Sequence, residues 1–290
     1  AILFFGIVPN ALGSWVLDGE FRIPGTGSYR GMALTNDEQG LYVTGIQERN
    51  VVLIDLSGKT PLITQTTSIG SINPKACGKA VFVATDDRVW VPASDDLEVY
   101  EFTADLKLVA IHDIRGLGVS KCEGVLVDGE GNLYLAERSG TAGVVKLKKA
   151  EAGWQRDTDW GINGAAELGG EVRCPIIDAV GTIYAGVWGG GTGDKLFKVD
   201  QQGNKELVAS GIAAPYHLAV DGKGQIYSIN YSVEPVLTMI APTGEVIGTY
   251  TKGDLGLKTD GSGIAITKDG QRLFILDQTN ISVSWYRWVE

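Results

Sequence analysis

Apolar and polar positions alternate along this chain in short runs broken by Gly, Asp or Asn, the pattern of antiparallel strands joined by tight turns. In GMALTNDEQGLYVTG, KAVFVATDDRVWVPA, EGVLVDGEGNLYLAE, CPIIDAVGTIYAGVW, HLAVDGKGQIYSIN and GIAITKDGQRLFILD, one strand, a polar turn and a second strand follow one another. A pair at the same place in each unit recurs as Leu41-Tyr42, Val89-Trp90, Leu133-Tyr134, Ile183-Tyr184, Ile226-Tyr227 and Leu273-Phe274, at intervals of 48, 44, 50, 43 and 47 residues. Six units result, each long enough for four short strands, and no stretch carries a long helical period.

Units of this length predict the blades of an all-β, six-bladed β-propeller that closes radially as a single domain over residues 1–290. The ends of the chain show how it closes. After Phe274 the chain supplies one more strand, ISVSWYRWV, and no residues for a fourth. The surplus lies at the other terminus, where SWVLDGEFRI (Ser14 to Ile23) alternates like a strand and is expected to form the outer strand of the last blade. The CEGVLVDGEGNLYLAE unit and its five weaker copies resemble the six-bladed propellers of the NHL, gluconolactonase and strictosidine-synthase-like group. That resemblance spans nearly the whole chain and speaks to fold far more than to activity.

Composition agrees and narrows the partners. Gly is 40 of 290 residues, about twice the usual share, as a chain of many turns needs. Net charge is −10 with no basic run, which excludes nucleic acid as a partner. The apolar AILFFGIVP is too short to span a bilayer and lacks a basic leader, so no membrane partner is expected; it reads as a mature N-terminus left after signal removal. The sequons NYS at Asn230 and NIS at Asn280 tilt the reading towards the secretory pathway, with the cytoplasm as the alternative. Cys77, Cys122 and Cys174 match no zinc spacing, and burial is favoured over a disulfide.

Aligning the units places Arg30, Lys79, Glu123, Arg173, Tyr216 and Ser262 at the starts of the inner strands. Gly45, Ser94, Glu137, Trp188, Asn230 and Asp277 fall at the ends of the second strands, with Arg138, Tyr231 and Gln278 following. Three cations and one carboxylate thus converge on one axis of an acidic protein. Either they pair among neighbouring carboxylates, or Arg30, Lys79 and Arg173 hold an anion, enolate or carbonyl oxygen while Glu123 transfers a proton. His217 is a further candidate, as hydrogen-bond donor or proton shuttle, or as core packing; His112 reads as an ordinary outer-strand residue. Tyr29, Tyr216, Trp188, Asn230, Tyr231, Asp277 and Ser262 are the expected substrate-binding set, and Trp160 is a further aromatic for the mouth. The insert EAGWQRDTDWGINGAAELGGEV is either a lid or a surface loop, and GVWGGGTGD lacks the Walker pattern.

The resemblance to lactonases of this group implies a divalent cation held by Glu, Asn and Asp side chains. The equivalent strand starts here offer only Glu123 as an anionic oxygen among three cations, so no metal and no other cofactor is expected, though Asn230 and Asp277 keep a metal from being excluded. Neither a nucleophile elbow nor a metal set is present, which suits chemistry by positioning and polarisation. Strictosidine-synthase-like propellers imply ring closure without metal, and the resemblance extends to fungal natural-product propellers thought to guide cycloadditions, hetero-Diels–Alder reactions among them. The expected function is therefore a cofactor-independent cyclase of secondary metabolism acting on a small organic molecule. A lactonase or related hydrolase is the second reading and a non-catalytic binding propeller the third.

Overall fold

Five of the six turns between the recurring strand pairs are held by the side chain at their head, Thr35, Asp128, Asp178, Asp221 or Thr267, while Ala84 heads the sixth. In DGEGN, Asp128 Oδ1 accepts the N–H groups of Glu130 and Asn132 at 2.9 Å, and in DGKGQ Asp221 Oδ1 accepts those of Lys223 and Gln225 at 2.9 Å. The turn then needs a residue at positive φ, supplied by Gly131 (81°) and Gly224 (78°). Tyr134, from the recurring pair, donates its hydroxyl to Asp128 Oδ2 at 2.9 Å, so the aromatic position pins the turn as well as filling the core.

The computed structural model describes residues 13–138, 143–151, 153–188 and 194–290. The AILFFGIVP run and residues 189–193 of GVWGGGTGD lie outside the described residues. Six antiparallel sheets form the six blades of a propeller. Blade one comprises Tyr29–Leu34, Gly40–Gly45, Asn50–Asp55 and Leu62–Ser68; blade two Phe82–Val83, Val89–Ala93, Glu98–Phe102 and Leu108–Asp113. Blade three runs Cys122–Val127, Leu133–Glu137, Gly143–Ala150 and Gly153–Arg156, and blade five Pro215–Val220, Ile226–Asn230, Leu237–Ile240 and Val246–Tyr250. In blade four the inner strand is split into Glu171–Val172 and Ile176–Ile177, with Pro175 between the halves removing a ladder donor, before Ile183–Trp188, Lys195–Val199 and Lys205–Ser210. A one-turn helix, Lys252–Leu255, capped by Thr251 and Asp254, leads into blade six.

Blade six consists of Gly261–Ile266, Arg272–Asp277, Ser282–Val289 and, outermost, Ser14–Arg22, which pairs antiparallel with Ser282–Val289 from Ser14 opposite Val289 to Arg22 opposite Ser282. The expected closure is therefore the observed one. Apolar side chains pack between adjacent blades: Phe274 and Leu276 of blade six lie against Leu41 and Val43 of blade one, and Tyr134 and Val144 of blade three against Val172 and Val187 of blade four. The insert expected as a lid or loop is neither. Its Gly153–Arg156 is the outer strand of blade three, its Ala165–Glu167 pairs with Gly143–Val145, and Trp160 packs edge-on to Tyr134 in the core, so Trp160 is not a mouth residue.

Trp15 anchors the closing strand by packing with Tyr227 and Met239 of blade five, and its Nε1–H points to Met239 Sδ at 3.3 Å. Deleting residues 1–24 removes this side chain and bares the edge of Ser282–Val289. The truncated protein is expected to lose cooperative melting and to aggregate in light scattering; a melt like that of the full chain would mean the strand is dispensable.

Candidate functional site

A register shift creates four of the six inner-strand starts. In blade one Tyr29 faces Gly45 and Gly31 faces Thr44; in blade three Cys122 faces Glu137 and Gly124 faces Ala136. Blades five and six repeat the shift at Pro215/His217 and Gly261/Gly263. The residue without an opposite number is Arg30, Glu123, Tyr216 or Ser262, so each is the extra residue of a β-bulge, which re-aims a side chain out of the ladder. Glycine follows where the next blade comes closest: a Cβ at Gly124 would lie 2.5 Å from Arg173 O, and one at Gly31 2.6 Å from Ala80 Cα. The x-Gly step in YRG, CEG and GSG is thus a sequence signal for these positions that the repeat alignment alone did not use.

Glu123 has no exposed surface and accepts from three cations. Its Oε1 takes Lys79 Nζ and an Arg138 guanidinium N–H, both at 2.9 Å, and its Oε2 takes an Arg173 guanidinium N–H at 2.6 Å. Arg173 also pairs with Glu171 at 2.8 Å, and its guanidinium lies over the Trp188 ring, 4.4 Å from the centroid. Burial pushes the Glu123 carboxyl up, but Lys79 and Arg173 outweigh it and hold the group below its ordinary value. It is consequently a fixed anion tying blades two, three and four together. Arg138 and Glu171 complete this network; sequence alignment noted Arg138 only as a flanking residue and missed Glu171.

Arg30 differs from the other cations. It donates to the Tyr216 hydroxyl at 2.9 Å, lies 5.5 Å from the Tyr231 ring centroid, and has no carboxylate partner among the described residues. Its Nε is buried without an acceptor, as is that of Arg173. Tyr216 and Tyr231 stack with centroids 5.0 Å apart, and Trp188 meets Tyr231 edge-on at 6.4 Å. Four cations against Glu123 and Glu171 leave this cluster net positive, walled by three aromatic rings.

The other expected site residues do other work. Tyr29 packs in the core between blades six and one, and Ser262 donates to Tyr29 O at 3.0 Å. Asn230 spends its whole amide internally, accepting from Ser228 and donating to Pro235 O and Thr238 Oγ1; fully buried, it is no glycan acceptor in the folded chain. Asp277 accepts the N–H groups of Lys258 and Thr259 at 3.0 and 3.1 Å, with the Thr259 hydroxyl and Asn280 N–H on its other oxygen. Glu137 does the same for Ser120 and Lys121. Asp277 and Glu137 thereby fasten the loop that enters the inner strand of their own blade. His217 is no proton shuttle: its Nδ1 accepts Ile264 N–H at 3.1 Å and burial pushes its pKa down to about 4. His112 lies on an outer strand beside Glu101 as expected, and the three cysteines are free and buried.

The lactonase-type metal set does not fit these residues. Glu123 is enclosed by cations that would repel a dication, and Asn230 and Asp277 have their oxygens committed to loop and strand donors.

No protein-family model and no curated protein sequence matches the chain. Among solved structures, a gluconolactonase from Xanthomonas campestris superposes with a TM-score of 0.66 at 13% identity, covering 98% of this chain and 99% of the other. A streptogramin B lyase gives 0.65 at 13% identity over 95% and 98%, and a catalytically inactive virginiamycin B lyase from Staphylococcus aureus with quinupristin gives 0.66 at 10% over 94% and 99%. The chain is structurally similar to gluconolactonase and virginiamycin B lyase. At these identities the likeness is one of fold.

The cations at the mouth are thus unequal, and their substitutions should separate. Glu123→Gln leaves Lys79, Arg138 and Arg173 without their shared counter-charge and is expected to cost about 3–5 kcal/mol, read as a lowered Tm. Arg30→Met breaks one hydrogen bond and no ion pair, a loss of about 1 kcal/mol. Equal melting of Glu123→Gln and the unaltered protein would show that the network adds nothing to stability.

Proposed function

We propose that the protein is an enzyme that opens a lactone-type ester ring in a small organic molecule bound at the mouth of the propeller. The observation that carries this reading is Arg30, a half-buried cation with no carboxylate partner among the described residues, an orphaned Nε, and two stacked tyrosines beside it. Such a donor set suits an oxygen that gains charge during reaction. When water adds to a lactone carbonyl, that charge appears on the carbonyl oxygen; the ring C–O bond then breaks, the departing alkoxide takes the proton given up by the water, and a hydroxy acid results. Arg30 would hold the oxygen throughout, its contact strengthening as charge develops. Glu123, three times ion-paired, serves in this scheme to fix Lys79, Arg138 and Arg173 rather than to move a proton. The fold shared with a gluconolactonase and with streptogramin-type lyases supports ring opening over the ring formation preferred from sequence, and none of these structures is named a cyclase.

Ring formation retains one supporting observation. Among the described residues of the cluster no carboxylate or imidazole is left unbonded to serve as a base, and a reaction steered by shape and polarisation alone needs none.

A panel of γ- and δ-lactones, gluconolactone included, assayed by pH-stat with a chelator present, tests the proposal. Saturable hydrolysis is expected, with Arg30→Met lowering kcat/KM by about 10²–10³ while the variant stays folded. Activity that vanishes with the chelator and returns with added metal would restore metal chemistry. Absence of turnover on every lactone would overturn the reading, as would a product of the same mass as its substrate, since hydrolysis adds one water.

A further inference from the structure

Among the described residues of the mouth, Arg30 is the cation without a carboxylate, and its nitrogens show what it can offer a ligand. Nη1 donates to the Tyr216 hydroxyl at 2.9 Å, Nε is enclosed, and Nη2 has no acceptor among the described residues. Because the side chain is only half-buried, Nη2 is its open polar edge. Tyr216 is 2% exposed, and burial pushes its phenol up, so the hydroxyl keeps its proton. That hydroxyl accepts from Arg30 and has no acceptor of its own among the described residues, so a second donor stands beside the guanidinium. Two adjacent donors, one of them charged, match the two oxygens of a carboxylate.

Charge limits what can fill this place. Lys79 and Arg173 are buried against Glu123, Arg138 reaches the same carboxylate, and Arg173 also holds Glu171. Arg30 can therefore neutralise one negative charge and not two. The chain as a whole carries −10, so an anion is drawn here by this local donor pair and not by the overall field. The rings limit the shape. Tyr231 stacks on Tyr216 with centroids 5.0 Å apart, Arg30 lies 5.5 Å from the Tyr231 centroid, and Trp188 stands edge-on to Tyr231 at 6.4 Å. Tyr231 and Trp188 are both half-buried, so a carboxylate on Arg30 brings the body that carries it against aromatic surface.

We infer that the mouth selects a planar aromatic monoanion, its carboxylate on Arg30 and Tyr216 and its ring against Tyr231 and Trp188. The inference rests on the ring-opening reading for the identity of that anion. An aryl-fused lactone takes up one water, its ring C–O bond breaks, and the hydroxy acid releases one proton to solvent and remains as the carboxylate. The donors that stabilise the developing oxyanion then hold this product more tightly than the neutral lactone.

Equilibrium binding of 2-(hydroxymethyl)benzoate, the ring-opened form of phthalide, to the full chain tests this without turnover. Calorimetry should show saturable one-to-one binding, with the aromatic NMR signals of Trp188 and Tyr231 shifting. The neutral 2-(hydroxymethyl)benzamide, of equal size, should bind about tenfold or more weakly. The alicyclic cis-2-(hydroxymethyl)cyclohexanecarboxylate, of equal charge, should bind about threefold or more weakly. Phthalate, which brings a second charge, should bind no more tightly than the monoanion; tighter binding would overturn the limit of one charge. Arg30→Met should weaken binding of the benzoate about tenfold or more while the variant stays folded. No saturation at millimolar anion, equal binding of acid and amide, or full affinity in Arg30→Met would overturn the anion site. Equal binding of the aromatic and alicyclic acids would overturn the role of the rings. Anion binding without turnover of any lactone would contradict the ring-opening reading alone, whereas lactone turnover without anion binding would contradict this inference alone. The ligand comparison on the unaltered protein stands whether or not Arg30→Met folds.

Discussion

A carboxylate with no exposed surface can stay charged only if cations surround it, and Glu123 draws Lys79, Arg138 and Arg173 to within 2.9 Å. Those partners come from three adjacent blades, so satisfying one buried charge fixes the relative placement of their inner strands at the axis. The consequence reaches the aromatic wall. Arg173, held by Glu123 and Glu171, presents its face to Trp188 at 4.4 Å and to Tyr216 at 5.6 Å, and Tyr216 in turn accepts from Arg30. Lys79, Arg138 and Arg173 each hold a carboxylate, whereas Arg30 has none among the described residues and is left as the group able to meet a developing negative charge.

The architecture was legible because a propeller writes its blades as a repeat. The spaced apolar and aromatic pairs, the polar turns and the missing strand after Phe274 each follow from a local physical need, and the paired Ser14–Arg22 strand meets the last of them. The convergence of Arg30, Lys79, Glu123, Arg173 and Tyr216 followed from the same alignment, since equivalent positions of a radial fold face one axis. What the alignment could not tell was partnership. Asn230 and Asp277 look like site residues by position, yet their oxygens are spent on Ser228 and on the Lys258–Thr259 loop. The insert of blade three breaks the repeat in sequence but returns to the ladder in space, and Glu171 became part of the site only because the split inner strand of blade four brings it beside Arg173.

Much of the candidate site sits at the bulges. A regular inner strand would turn these side chains into the inter-blade core, where a charge is unaffordable; one extra residue in four of the inner strands, followed by glycine in three of them, lets Arg30, Glu123, Tyr216 and Ser262 face the axis while the strand continues below.

The central claim is that Glu123 is a permanent anion that organises the mouth, and a ¹³C titration of its side-chain carboxyl measures this without substitution or substrate. Its folded-state pKa is lowered, so the ionised form contributes stability above the unfolded pKa, and that contribution is lost as pH falls through the folded value. The inflection should therefore lie below the ordinary 4.5, with the chemical shifts of the Arg173 and Lys79 side chains changing at the same pH. An inflection at or above 4.5, or one unaccompanied by any change at those cations, would contradict a carboxylate held by three partners and leave it free to act as a proton carrier.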